Sequence, residues 1–154
     1  MAKIKEDNVV ARLKRITPDN YRECLDLKVA EDQKKFISPN VLSLAKAYLY
    51  YDSVTPFAIY DESLMVGFIM LRFNKEYNNY FIWQFMIDER YQSKGVGSKA
   101  LGLAIDWMKK DIRCSEIVTT YIVGNEKVRK LYIKHGLQQI GEIEDGEINM
   151  ALYI

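Results

Sequence analysis

An apolar run from Tyr80 to Ile87 passes into the charged segment Asp88 to Lys94 and then into Gly95-Val96-Gly97, and only there does a helical period begin. A strand that feeds a helix through a glycine-bearing loop commits a chain to a sheet with a helix laid on it, because the helix must return its apolar stripe to the sheet. That stripe is present. Val96, Ala100, Leu103, Ala104 and Trp107 recur at helical spacing, with Lys99, Asp106 and Lys110 on the other side. The run Tyr80 to Ile87 is apolar at almost every position rather than alternating, which predicts a central strand covered on both faces.

The remaining pattern supplies the neighbours. Val9 to Ile16 reads as a strand, and Pro18-Asp19-Asn20 starts a helix that continues to Leu27. A second helix is predicted from Val41 to Tyr51. Glu31 to Asn40 between them has no clean period, ends in Ser-Pro-Asn turn chemistry and reads as a loop. Phe57 to Tyr60 and Met65 to Phe73 form a hairpin around Asp61-Glu62-Ser63. Ile117 to Tyr121 is a β-branched strand. Asn125 then caps a helix whose Val128, Leu131, Tyr132 and His135 share a face before Gly136 stops it. Leu137 to Glu144 and Glu147 to Ile154 flank Asp145-Gly146, a strong type I′ hairpin signal. Hairpins at both ends and a βαβ centre predict an α+β fold: a mixed, mostly antiparallel sheet of about seven strands with about four helices on its faces. No repeat, low-complexity tract or linker divides residues 1–154, so one domain is expected.

Charge and cysteine usage narrow the function. Twenty-two basic against twenty-one acidic residues leave a net charge of +1, and no basic block is interleaved with aromatics, so no nucleic-acid partner is expected. Cys24 and Cys114 lack metal-type spacing and His135 is the only histidine, so no metal is expected either. Both cysteines read as small buried groups rather than nucleophiles. Met1 to Asp7 has no apolar stretch of the leader type, and the apolar run around Phe81-Ile82-Trp83 is broken by Gln84; no membrane partner and a cytoplasmic location are the expectations.

The glycines of Gln92-Ser93-Lys94-Gly95-Val96-Gly97-Ser98 sit where a helix begins. Backbone amides there have no intrahelical acceptors, and the helix dipole adds positive character, so a diphosphate is the matching ligand. The Walker pattern is excluded by spacing. Gly95-Val96-Gly97-Ser98-Lys99-Ala100 does fit the dinucleotide fingerprint, with Glu116 downstream, but that fingerprint leaves its strand through a tight turn, whereas Asp88 to Lys94 intervene here. Taken alone, the glycines read more readily as a turn that allows close helix packing, and only their context reverses that preference.

The segment resembles the acetyl-CoA motif of the GNAT acetyltransferase superfamily, Gln/Arg-x-x-Gly-x-Gly/Ala, filled by Gln92, Gly95 and Gly97. A second family element is matched by Asn125, then Leu131-Tyr132, then Lys134-His135-Gly136-Leu137, with Leu137 where Phe is usual. The order of elements follows the family over nearly the whole chain. Met86 to Gln92, the Asp32-Gln33 loop with Pro39-Asn40, and Gly141-Glu142 with Asp145-Gly146-Glu147 look more narrowly like bacterial diamine and polyamine acetyltransferases.

The resemblance implies an N-acetyltransferase that uses acetyl-CoA as cosubstrate and is attacked directly by a primary amine of a small molecule, spermidine or spermine for preference. The pyrophosphate would rest on the amides of Ser93, Lys94, Gly95, Val96, Gly97 and Ser98, with Gln92 and Lys134 nearby. The pantetheine arm would pair with backbone groups near Met86 and Ile87, and Asn125 would reach it while capping its helix. Tyr132 would be the general acid for the departing thiolate, although its spacing alone reads as core packing. The proton acceptor is not named by the sequence. Glu31, Asp32, Glu142 and Glu144 are candidates for it or for binding a cation, each with solvated surface charge as the simpler reading, and Trp83 would face an ammonium or methylenes if it is not core. The family often pairs, so a homodimer is an expectation with no feature deciding it. A protein amine or an aminoglycoside as acceptor, and a non-catalytic acetyl-CoA sensor, stay open as alternatives.

Overall fold

A computed structural model of the chain describes residues 9–154; the leader reading of residues 1–7 lies outside them. Among the described residues, seven strands form one sheet in the order β1-β2-β3-β4-β5-β7-β6. They are β1 (Ala11–Arg15), β2 (Val54–Asp61), β3 (Leu64–Asn74), β4 (Asn79–Ile87), β5 (Glu116–Ile122), β6 (Gln138–Glu144) and β7 (Glu147–Tyr153). Four α-helices accompany them: α1 (Tyr21–Asp26), α2 (Asn40–Leu49), α3 (Val96–Lys109) and α4 (Glu126–Lys134). Every strand pairing is antiparallel except β4 with β5, the two strands joined by α3. A parallel pair needs such a crossover, and the strand, glycine loop and amphipathic helix supply it.

Each face of the sheet carries its own core. Leu101, Ala104 and Met108 of α3 and Tyr132 of α4 pack on Ile69, Leu71, Ile117 and Met150. On the opposite face Cys24 and Leu27 of the α1 region and Ala47 of α2 pack on Ala58, Phe68, Met70 and Met86. The buried stripe of α3 runs through Val96, Ala100, Leu101, Ala104, Ile105 and Met108, so it is rotated from the sequence expectation and Leu103 is left 37% exposed. Trp107 stands at the stripe's edge, its ring 5.2 Å from Phe57 and 5.7 Å from Tyr80. The stretch expected as a loop before α2 is instead a 3-10 helix over Glu31–Phe36. The β6–β7 hairpin turns as its residues dictate: φ is 50° at Asp145 and 75° at Gly146, the type I′ signature.

The departure that shapes the site is in β4. This strand is central, yet Phe81, Trp83, Gln84, Phe85 and Ile87 are only half-buried. The reason is that β4 and β5 stay paired only from Asn79 with Glu116 to Ile82 with Thr119. At that point β3 places Met70 opposite Gln84 and Leu71 opposite Ile82, so Trp83 is an extra residue, a bulge. A bulge bends its strand and sharpens the local twist. β4 therefore swings off β5, and the apolar residues that looked like a doubly covered strand line an opening instead.

Candidate active site: a slot between two diverging strands

The opening is a groove of about 530 Å³ whose walls include Phe81 to Ile87 of β4 and Thr120 to Ile122 of β5. Val96, Gly97, Val128, Leu131 and Tyr132 reach it from the face carrying α3 and α4. Val29, Gln33, Phe36, Ile37 and Ser38 reach it from the face carrying α1 and α2. It is thus a slot that passes through the sheet. The last five residues of β4 have no partner on β5, so backbone donors and acceptors of that edge are free to pair with a bound chain.

One end of the slot is the glycine loop. The carboxylate of Asp88, 1% exposed, shapes the entry to it. Its Oδ1 accepts from the Arg90 amide at 3.0 Å and the Arg90 Nε at 2.8 Å, and its Oδ2 accepts from the Lys28 amide at 3.0 Å. Burial pushes this carboxyl up, but the bonds from Arg90 and Lys28 outweigh it and hold it below the usual carboxylate range. Beyond it, Ser93 and Gly95 have φ of 62° and 84°, left-handed values separated by one residue of negative φ. Such alternation turns successive amides to one side, a concave anion cradle. The first intrahelical bond of α3 runs from the Lys99 amide to the Gly95 carbonyl at 3.2 Å, so the amides of Val96, Gly97 and Ser98 precede it.

Gly97 lines the slot, as do Ser93 and Val96 of the same cradle. A Cβ there would touch Ile87 at 3.5 Å and Phe85 and Leu131 at 3.8 Å, occupying the floor on which a ligand would lie. Gln92 donates from Nε2 to the Ile87 carbonyl at 3.0 Å and accepts at Oε1 from Lys127 Nζ at 3.3 Å. Lys127 is the only Lys or Arg among the slot's lining residues and was missed in the sequence, because a lysine on an exposed helix turn has no local signature. Lys94 and Lys134 are exposed and do not line the slot.

Opposite the free edge of β4 sit Asn125 and Tyr132. Asn125 stands at the N-cap position of α4, but its side chain makes no capping bond, which corrects the capping duty expected of it. The residue is 5% exposed and its Oδ1 has no hydrogen-bond partner. An orphaned acceptor in a buried position costs free energy unless a ligand supplies a donor. A linear arm carrying amide N–H groups and joined to a diphosphate, as in coenzyme A, fits the orphan, the free strand edge and the cradle together. Tyr132 is 3% exposed, and burial pushes its phenol up to about 12, with the neighbouring Thr119 hydroxyl acting the other way. Its proton is therefore held at neutral pH.

The acceptor side departs further from expectation. Glu31 is exposed and paired with Lys34 at 2.6 Å; Asp32, Glu142 and Glu144 are exposed; none of the four lines the slot. Trp83 does line it, but Lys46 and Arg72 already stand over its ring at 5.2 and 5.3 Å, so the indole has resident cations. Gln84 donates to the Ser38 carbonyl at 2.8 Å and ties β4 to the segment before α2. Gln33 and Glu147, which the sequence offered only as part of the narrower resemblance and not as site residues, complete this wall with Phe36 and Ser38. Cys24 and Cys114 are free and buried away from the slot, and burial pushes the Cys24 thiol up to about 12 and raises that of Cys114. Among the described residues no group of three or more His, Cys, Asp or Glu is placed to hold a metal, and no helix is long and apolar enough to cross a membrane.

Three comparisons bear on this slot. Residues 15–137 match the model of the acetyltransferase (GNAT) family. A Bacillus subtilis (strain 168) protein, spermine/spermidine N(1)-acetyltransferase, is 34% identical over 140 residues, covering 86% of this chain and 90% of its own. The crystal structure of spermidine N-acetyltransferase from Vibrio cholerae in complex with CoA and spermine is similar with a TM-score of 0.76 at 17% identity, over 93% of this chain and 95% of that one. An aminoglycoside acetyltransferase in complex with coenzyme A is similar at 0.77 and 16% identity, over 93% and 94%.

Proposed function

The chain belongs to the acetyltransferase (GNAT) family and uses acetyl-CoA to acetylate an amine, and from that premise we propose that the amine is that of a polyamine such as spermidine or spermine. The two solved structures do not choose the acceptor, since a spermidine enzyme and an aminoglycoside enzyme match equally well at under 20% identity. The 34% relative is the observation that carries the polyamine reading.

Acetyl-CoA supplies an activated acyl group as a thioester. The chain's residues supply its placement. The amides of Ser93 to Ser98 receive the diphosphate, with Gln92 bracing the loop against Ile87 and Lys127 adding positive charge at that end. Backbone groups near Met86 and Ile87 and the Oδ1 of Asn125 hold the arm along the slot. Amides already oriented toward the carbonyl oxygen stabilise charge that develops there without reorganising, help worth about 3 kcal/mol per donor. As the C–N bond forms and the C–S bond breaks, Tyr132 would give its proton to the departing sulfur, and the proton shed by the nitrogen would pass to water, from which the phenolate is reprotonated. The two-sided slot supports direct attack: the amine enters from the α1–α2 face and meets the carbonyl from the side opposite α3, so no enzyme-bound acetyl is required. Raised thiol values and burial away from the slot agree with that at Cys24 and Cys114. A cytoplasmic location, which two free cysteines support, and a homodimer belong to the same proposal.

The deciding experiment is release of free CoA thiol from acetyl-CoA by the purified protein, offered spermidine, spermine, short diamines, lysine peptides and an aminoglycoside. Fast release with polyamines is expected. Release with another amine alone keeps the acetyltransferase and removes the polyamine, and tight acetyl-CoA binding without release from any of them turns the reading toward a sensor.

A further inference from the structure

A polyamine brings several ammonium groups, of which only the one under attack loses its proton. The others enter the slot charged, and a cation leaves water readily only where a carboxylate meets it. The acids expected for this duty, Glu31, Asp32 and Glu142, lie off the slot. The single acidic residue in its wall is Glu147, the first residue of β7.

Sheet register fixes where Glu147 stands. It is the cross-strand partner of Ile122, and Ile148 is the partner of Tyr121. Ile148 and Tyr121 are buried in the core under α3 and α4. Side chains alternate along a strand, so Glu147 and Ile122 share the opposite face, the one on which Gln33, Phe36 and Ser38 line the slot. Ile122 is three residues beyond Thr119, the last residue of β5 paired with β4, which puts Glu147 about 10 Å along the opening from its vertex at a usual strand rise. Glu147 is exposed and has no ion pair among the described residues. Lys127, by contrast, sits at the glycine-loop end. Of the charged side chains that line the slot, the positive one is therefore where a diphosphate would lie and the negative one is away from it, while Lys46 and Arg72 are engaged with the Trp83 ring and do not line the slot.

We infer that Glu147 binds a second ammonium of the acceptor, remote from the attacked nitrogen, and so sets a preference for di- and polyamines over monoamines; this rests on the polyamine reading above. The role is electrostatic and positional, with no covalent step. A carboxylate at an open mouth exchanges with water, so the preference also weakens as ionic strength rises.

The test is steady-state thiol release with spermidine, 1,4-diaminobutane and butylamine for wild type, Glu147→Gln and Glu147→Asp, with thermal unfolding as the check on folding. The ratio of kcat/KM for spermidine to that for butylamine falls about tenfold in Glu147→Gln, the scale of one charge-assisted hydrogen bond, with the loss in KM, and Glu147→Asp recovers part of it. An unchanged ratio, or an equal fall for both amines, overturns the role of Glu147. A wild type that does not favour spermidine over butylamine overturns the polyamine reading itself, a result read before any variant is compared.

Discussion

Ser98 Oγ lies 3.0 Å from His135 Nε2, joining the first turn of α3 to the residue that ends α4. The bond ties the anion cradle to the helix that carries Tyr132. Burial, helped by the adjacent Lys134, lowers the pKa of His135 below 6.5. Above that value both the folded and unfolded states hold a neutral ring and this site's stability is fully present; as pH falls below it, the unfolded chain takes up a proton that the folded ring resists, and stability is lost toward the lower folded value. Urea unfolding between about pH 7 and pH 5.5, below the usual histidine value but above the carboxylates, should show stability falling with pH, and His135→Gln should flatten the slope. Since there is one histidine in the chain, its imidazole resonance reports the pKa directly. A slope that persists in the variant would assign it to other groups.

Asn125 offers a sharper separation of stability from binding. A working N-cap costs about 0.5–2 kcal/mol when replaced by Ala. Here the side chain caps nothing and its buried Oδ1 is orphaned, so Asn125→Ala should leave the unfolding midpoint unchanged or raise it. The same change should weaken acetyl-CoA binding about tenfold, as expected for a hydrogen bond made only in the complex. Calorimetric titration and a thermal melt on the same sample measure both. A fall of several degrees with binding retained would restore the capping role.

Gly67 of β3 faces Ile87 across the ladder, and a Cβ placed on it would lie 2.5 Å from the Met86 carbonyl and 2.8 Å from Ile87 Cδ1. Backbone cannot give way as a side-chain tip can. Gly67→Ala should therefore displace the end of β4, the part that borders the slot, and destabilise the protein by about 1–3 kcal/mol, the usual cost of overpacking. Its diagnostic effect is a higher KM for acetyl-CoA beyond what an equally destabilising change elsewhere in the core produces. Loss of stability with KM retained would show that the strand end absorbs the methyl group without moving its ligand edge.

What the sequence revealed follows from which forces are local. Gly95, Asp145-Gly146 and the α3 stripe announce a loop, a hairpin and a helix because each depends on neighbours a few residues away, and the order of elements came through for the same reason. The slot did not. It arises from one bulge residue, Trp83, and from paired residues 37 positions apart in the chain, whose strands separate after Ile82 and Thr119; apolar character along β4 looks the same whether it meets core or an open wall. Residues of the slot wall on the α1–α2 face were missed likewise as site residues. Glu147 differs from Glu142 and Glu144 only by the face its register selects, and the positions of Gln33 and Ser38 depend on a 3-10 helix with no period to announce it.

Tyr132 is where packing and chemistry coincide, and removing only its hydroxyl separates them. The ring belongs to the core under α3, so Phe keeps the packing, and the stability change should stay within about 1 kcal/mol, the worth of one hydrogen bond. A general acid positioned on the leaving group contributes on the order of a hundredfold, so Tyr132→Phe should lower kcat by about that factor with acetyl-CoA affinity nearly kept. The pH profile adds an independent sign. With its phenol at about 12, Tyr132 stays protonated across any assay below pH 9, so wild-type kcat/KM should rise as the amine loses its proton and show no descending limb from this residue. Stopped-flow or steady-state thiol release on both proteins, from pH 6 to 9, reads the two expectations together. Unaltered kcat in the Phe variant would take Tyr132 out of the proton path and leave the sulfur to be protonated by water in the slot.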